Sequence, residues 1–201
     1  MRYESALQIV RYLKQVYGTP VPILRIAQNI DLSYQPTYKH VRALQALGVI
    51  RAEKLGRDVL CCLAASDATH LWLGLLAVQQ RSDLLSDPAL AGLVLEIRRH
   101  LRFALGEGVL AVALRRAAAG PELLAITVDT PDDQLEHRLS ARCTAGGATI
   151  PVTVLDRAAV ADAVADDATR VLWVAQCVPI YGEQVFWALA LTEDGCRQEV
   201  V

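Results

Sequence analysis

The stretch Asp31-Leu-Ser-Tyr-Gln-Pro-Thr-Tyr-Lys-His-Val-Arg-Ala-Leu-Gln-Ala-Leu-Gly-Val-Ile50 decides the fold of the first part of this chain. Ser33 precedes a helical repeat, and Pro36 is tolerated in the first turn because the amide there has no intrahelical partner. Three apolar residues recur at helical spacing and are predicted to face inward: Val41, Leu44 and Leu47. Gly48 then ends the predicted helix, whose opposite face remains available for other contacts.

Two shorter patterns before this stretch predict two more helices. The first runs from Tyr3 to Tyr17 and stops at Gly18, a residue typical of helix ends. The second runs from Val21 to Asn29. The predicted inward-facing residues are Ala6, Ile9, Val10 and Leu13 in the first helix, and Ile23, Leu24, Ile26 and Ala27 in the second. Three helices joined by tight turns are typical of a helix-turn-helix domain.

A β-hairpin is predicted directly after the third helix. Val49 to Lys54 and Asp58 to Leu63 are strand-like, and Leu55-Gly56-Arg57 can supply the positive φ of a hairpin turn. In order, Ser33, Leu44, Gly48 and Val49-Ile50 resemble the third helix and hairpin entry of winged-helix regulators of the MarR and ArsR type. The resemblance implies a winged helix-turn-helix that binds DNA.

The charge of the chain is divided unevenly along its length. The first 64 residues contain nine Lys and Arg against four Asp and Glu, whereas the remaining 137 contain eleven against eighteen. The net charge of −2 therefore conceals about +5 followed by −7. A positive segment favours the phosphate backbone of DNA as its partner.

Eight residues are the predicted DNA contacts. On the third helix and on the hairpin they are Gln35, Pro36, Tyr38, Lys39, Arg42, Arg51, Lys54 and Arg57. Gln and Arg can pair with base edges in the major groove, and the hairpin cations would meet flanking phosphates or the minor groove. The alternative interpretation is an ordinary solvated helix face and hairpin.

Two helices are predicted to link this domain to the rest of the chain, from Ala68 to about Gln80 and from Asp87 to about Leu105. The first is apolar nearly all round, with Leu71, Trp72, Leu73, Leu75 and Leu76. Such a helix either forms a dimer interface or lies between two domains. Because symmetric operators bind dimeric regulators, we expect a homodimer.

The last part of the chain shows an α/β pattern with a mostly buried sheet. The predicted strands are Val109 to Leu114, Leu123 to Val128, Ile150 to Leu155, Val171 to Val174 and Val185 to Leu191. Helices are predicted around Asp132 to Cys143 and Arg157 to Val164. In its order of elements, Val109 to Glu183 resembles the minimal nucleotidyltransferase domain, with Val178-Pro-Ile-Tyr-Gly182 as its closing segment.

The residues that this resemblance would make catalytic are largely replaced. Arg115-Arg116 stands where the family has Gly-Ser, and of the acids that hold Mg²⁺ only Glu122 has a counterpart. We therefore expect a domain without catalytic residues, cofactor or metal. It would pair subunits or sense a small-molecule effector. An unrelated α/β sensor is the alternative assignment.

Together these patterns predict an α+β protein of three parts: a winged helix-turn-helix over 1–64, a helical dimerisation linker over 65–105 and a nucleotidyltransferase-like α/β domain over 106–201. The predicted function is that of a transcriptional regulator, a pseudoenzyme that binds double-stranded DNA as a homodimer. The alternatives are a Mg-dependent nucleotidyltransferase, related to toxin-antitoxin systems, with a winged-helix targeting domain, and a winged helix that binds only protein.

The same composition gives expectations about location and redox state. No apolar run reaches the roughly 18 residues that a membrane helix requires, so we expect a cytoplasmic protein without membrane contact. The five cysteines lack the spacing of a zinc site and are expected to be reduced thiols.

Overall fold

The computed structural model describes residues 3–101, 108–117, 120–129, 133–145 and 148–191. The chain divides into two units. The described residues of the first unit are 3–76 together with Leu191, and the second unit is Ala77–Ala190. Each unit is described below by itself.

The first unit contains the predicted three helices and hairpin in the expected order. Its elements are α1 (Tyr3–Gln15), β1 (Val21–Pro22), α2 (Ile23–Asn29), α3 (Tyr34–Ala46), β2 (Ile50–Leu55), β3 (Asp58–Leu63) and the first part of α4 (Asp67–Leu85). The strands form an antiparallel sheet of order β1-β3-β2, so β2 lies at an edge. Gly56, at the hairpin turn, has a φ of 60°, which glycine adopts without steric cost.

The core of the first unit is built from the apolar faces that helical spacing predicts. Ala6, Ile9, Val10 and Leu13 of α1 are buried, and so are Val41 and Leu44 of α3. Two residues of the predicted inward set are instead exposed. Leu24 of α2 is 54% exposed, and Leu47, the C-cap residue of α3, is 53% exposed. Leu24 lies on a seven-residue helix, which can bury only one narrow face. Leu47 lies at the end of α3, where the helix leaves the core. The prediction that these two leucines face inward is therefore wrong.

The start of α4 is fixed to the junction of α3 and β2. The Ser66 hydroxyl donates to the carbonyl of Gly48 at 2.7 Å, and the Thr69 hydroxyl donates to the carbonyl of Val49 at 3.1 Å. Ser66 Oγ also accepts from the amide of Thr69, which caps the helix. Tyr3 of α1 stacks on Trp72 with ring centroids 5.5 Å apart. The first turns of α4 are therefore attached to the three-helix core by both polar and aromatic contacts.

The second unit is a four-stranded sheet with helices on both faces. After the last part of α4, its elements are α5 (Pro88–Leu101), β4 (Val109–Ala117), β5 (Gly120–Thr127), α6 (Asp133–Arg142), β6 (Thr144–Ala145), β7 (Ala148–Thr149), β8 (Val152–Asp156), α7 (Arg157–Ala165), α8 (Asp167–Gln176), β9 (Cys177–Tyr181) and α9 (Glu183–Ala190). The predicted continuation of α5 to Leu105 lies outside the described residues.

The main sheet has the order β8-β5-β4-β9. β5 pairs with β8 in parallel, whereas β4 is antiparallel to both β5 and β9. Alternate residues of the strands lie on opposite faces, and both sets are buried. One face packs against α5 and α6 in a single apolar cluster, and α7, α8 and α9 contact the strands as well. Burial on both faces explains why these strands are continuous apolar runs.

Two predicted strands of this unit are helices. Val171 to Val174 lies inside α8, and Val185 to Leu191 overlaps α9. Short apolar runs do not distinguish a buried strand from a buried helix, and here local signals favour the helix. The carboxylate of Asp166 accepts from the amide of Thr169 and caps α8. The strand that completes the sheet is Cys177–Tyr181, which was not among the predicted strands.

The described residues thus form a mixed α+β protein. Within the described ranges, no helix combines the length and the apolar character that crossing a membrane requires.

Candidate nucleic-acid interface

The third helix, α3, is oriented by the residues that it buries. Thr37, Val41 and Leu44 are fully covered. Thr37 also donates from its hydroxyl to the carbonyl of Ser33 at 3.0 Å, which steadies the first turn. Because this side of α3 packs into the unit, the opposite side faces outward.

The structure places the eight predicted contact residues on α3 and on the β2–β3 hairpin. Six of them are exposed: Gln35, Lys39, Arg42, Arg51, Lys54 and Arg57. Pro36 and Tyr38 are half-buried. In β2, Arg51 and Lys54 are three residues apart, so their side chains leave opposite faces of the strand. The hairpin therefore presents cations on both of its faces, and Arg57 lies at its turn.

Arg42 is joined to the hairpin through Gln45, which was not among the predicted contact residues. Its Nη1 donates to Oε1 of Gln45 at 2.9 Å, and Nε2 of Gln45 donates to the carbonyl of Ala52 on β2 at 3.2 Å. Residues three apart on a helix are neighbours, which was the available sequence signal for the first contact. The second contact depends on β2 lying beside α3, which no local pattern encodes.

Two more exposed side chains, one on α2 and one on α3, were not predicted as DNA contacts. Arg25 of α2 is exposed. Tyr34, at the start of α3, is 42% exposed and stacks on Tyr38, with ring centroids 6.1 Å apart and planes at 23°. Leu24 and Arg25 are both exposed on α2, although Leu24 was expected to face inward.

The charge of this surface is positive but smaller than the sequence count implies. Six Lys and Arg side chains are exposed within residues 3–64, against four exposed acids, Glu4, Asp31, Glu53 and Asp58. Lys14 is buried, so its charge is not on the surface. Burial lowers the pKa of His40, which reduces its contribution to the positive charge of this surface. The exposed cations of α3 and the hairpin are thus the main source of positive potential in this region.

In the second unit, Arg115 and Glu122 form a cross-strand pair. They are opposite each other on β4 and β5, and Nη2 of Arg115 lies 2.6 Å from Oε2 of Glu122. Both side chains are mostly covered. β4 continues through Arg115 and Arg116 to Ala117, and β5 begins at Gly120. The carboxylate of Glu122 is therefore engaged by a guanidinium group.

Four of the five cysteines lie within the described residues. Cys61, Cys143 and Cys177 are free and buried, and burial raises the pKa of Cys61 to about 12 and that of Cys143 to about 11. Cys62 is disulfide-bonded, so the expectation of reduced thiols is wrong for this residue. Cys196 lies outside the described residues. Among the described residues, no group of three or more His, Cys, Asp and Glu is arranged to hold a metal ion.

Comparisons with known proteins give no relative for this chain: no protein-family model, no curated protein and no solved structure matches it.

Proposed function

We propose that this protein is a transcriptional regulator that binds double-stranded DNA in a sequence-specific manner through a winged helix formed by α1–α3 and β1–β3. The observation that carries the proposal is the sidedness of α3. Thr37, Val41 and Leu44 are buried on one side, whereas Lys39 and Arg42 are exposed on the other. In this proposal α3 enters the major groove and the hairpin lies along the flanking backbone.

A salt titration tests DNA binding directly. Fluorescence anisotropy with a labelled pool of random duplexes should show binding that weakens as salt rises, because each neutralised phosphate releases counterions. Each phosphate contact contributes about −0.9 to the slope of log K against log salt. Contacts from Lys39, Arg51, Lys54 and Arg57 would give a slope of about −3.6 per protomer. Absence of binding at low salt would leave a winged helix that binds only protein as the better proposal.

We further propose that the regulator is a homodimer held by one face of α4. Four apolar residues at coiled-coil spacing on this helix are substantially exposed: Leu71, Leu75, Val78 and Leu85. Single exposed leucines are ordinary, but a row of them on one helix face favours a second chain as partner. An isologous pair of chains also suits an operator with two-fold symmetry.

For the second unit we propose a non-catalytic role in assembly or in sensing a small-molecule effector. The support is the pairing of Glu122 with Arg115, since a carboxylate held by a guanidinium is poorly placed to bind Mg²⁺. The resemblance of this unit to a nucleotidyltransferase domain is a proposal that rests on the order of elements in the sequence.

A further inference from the structure

We infer that Gln45 is a positioning residue that holds Arg42 in the orientation from which it reads a base, an inference that rests on the DNA-binding function proposed above. Gln45 is half-buried between α3 and β2, and both ends of its side-chain amide are used. The amide nitrogen must face the carbonyl of Ala52, because only a donor can bond to it. The amide oxygen is thereby turned towards the guanidinium of Arg42.

The strand that anchors Gln45 can offer this carbonyl because β2 is at the edge of its sheet. β2 pairs with β3 on one side only in the order β1-β3-β2. A carbonyl on the open side of an edge strand requires another partner. Gln45 satisfies the carbonyl of Ala52, so α3 and the hairpin are joined by the same side chain that contacts Arg42.

The contact leaves Arg42 able to bind DNA. A guanidinium group has five N–H donors, and the bond to Gln45 uses one of them. The remaining donors include a pair with the spacing that matches O6 and N7 of guanine. An exposed Arg that is already held loses less rotamer freedom on binding than one that samples many rotamers. Gln45 thus favours guanine readout by Arg42 without touching DNA itself.

A double-mutant cycle separates positioning from an independent DNA contact. Preferred sequences are first selected from a pool of random duplexes with the wild-type chain, and affinities are then measured for the best duplex and for its single-base variants. The variants are Gln45→Met, Arg42→Met and the double variant. Gln28→Met on α2 is the control, because Gln28 is another helical glutamine, exposed and outside the predicted DNA contacts.

Positioning predicts a specific pattern in these affinities. Gln45→Met should lower affinity for the best duplex about 3- to 10-fold and weaken preference at the base pair that Arg42→Met also affects. The double variant should bind no worse than Arg42→Met alone, and the salt slope of Gln45→Met should stay within about one unit of the wild type. Gln28→Met should leave affinity and preference unchanged.

A second substitution keeps the inference testable if loss of the Ala52 contact disturbs the hairpin. Gln45→Glu and Gln45→Met both lose the donor to Ala52, but only glutamate keeps an acceptor for Arg42. Preference at the shared base pair should therefore be stronger in Gln45→Glu than in Gln45→Met, while the added negative charge lowers overall affinity. Additive effects of Arg42→Met and Gln45→Met, or equal weakening on all duplexes, would overturn the positioning role alone. A wild-type chain that binds no duplex would overturn the proposed function and this inference together.

Discussion

Arg42 and Lys54 have the same charge, but we expect them to act differently on DNA. Arg42 lies on the exposed side of α3 and Lys54 on the hairpin. Replacing Arg42 with Met should cost about 1–3 kcal/mol and relax the preference at one base pair. Replacing Lys54 with Met should weaken binding to all duplexes alike and reduce the salt slope by about one unit. Anisotropy titrations on preferred and unrelated duplexes distinguish the two results.

The same titrations can contradict this assignment of roles. If both variants bind every duplex as the wild type does, the exposed side of α3 and the hairpin are not the DNA-contacting surface. If Lys54→Met changes preference at a single base pair, the hairpin reads sequence and the assignment of phosphate contacts is wrong.

Gly182 is required by the backbone at the end of β9. Its φ is 65°, and a Cβ at this position would lie 2.0 Å from the carbonyl oxygen of Leu110. A side chain therefore meets both an unfavourable backbone conformation and a neighbour that is itself backbone. We expect Gly182→Ala to lower the free energy of unfolding by about 3 kcal/mol or more, measured by urea denaturation followed by circular dichroism.

Gly92 provides a matched control in the same unit. It lies within α5, it is exposed, and a Cβ there would meet nothing within 4 Å. Gly92→Ala should raise the free energy of unfolding by about 0.5–1 kcal/mol, because alanine is the better helix former. Equal effects of the two substitutions would show that the contact with Leu110 is not what constrains Gly182.

An exposed leucine of α4 provides a test of the proposed homodimer. Leu75 on α4 and Leu172 on α8 are each 44% exposed. Leu75→Glu should shift the mass measured by light scattering from dimer to monomer, because a buried unpaired carboxylate opposes association. Leu172→Glu should leave the mass at that of a dimer.

Two results would contradict the role of α4. A wild-type chain that is monomeric at micromolar concentration would refute the homodimer. A dimer that persists in Leu75→Glu would place the interface elsewhere than on the face of α4 that contains Leu75.

Sequence patterns predicted some elements better than others, for physical reasons. α1, α3 and β3 combine a clear apolar repeat with a glycine or a turn at one end, and their predicted and observed bounds agree within about two residues. α8 and α9 are short and apolar, and periodicity alone does not separate such a helix from a buried strand. The cap at Asp166 was the signal that could have identified α8.

For the whole molecule, the charge pattern located the candidate surface but overstated its charge. Exposure of Lys39, Arg42 and the hairpin cations followed from helical and hairpin geometry that the sequence encodes locally. Burial of Lys14 and the bridge from Gln45 to Ala52 depend on contacts between elements, which a single sequence does not reveal. The exposure of these cations was therefore predictable from the sequence, whereas the contacts between elements were not.

If the protein were a nucleotidyltransferase, the alternative function, it would transfer a nucleotide in the presence of Mg²⁺. We expect no transfer of label when the protein is incubated with Mg²⁺ and labelled nucleoside triphosphates, because Glu122 is bound to Arg115. Gel electrophoresis with autoradiography measures the outcome. Label incorporation that is lost in Glu122→Gln would support the enzyme over the regulator.

The two hydroxyl contacts that attach the first turn of α4 to Gly48 and Val49 have a mechanical consequence. They join α4 to the residues where α3 ends and β2 begins, with a connection of three residues after β3. A rotation of this turn is therefore transmitted directly to the end of α3. In the proposed regulator, twisting the first turn of α4 would tilt α3, so binding to an operator would respond to an event that does not touch the proposed DNA contacts.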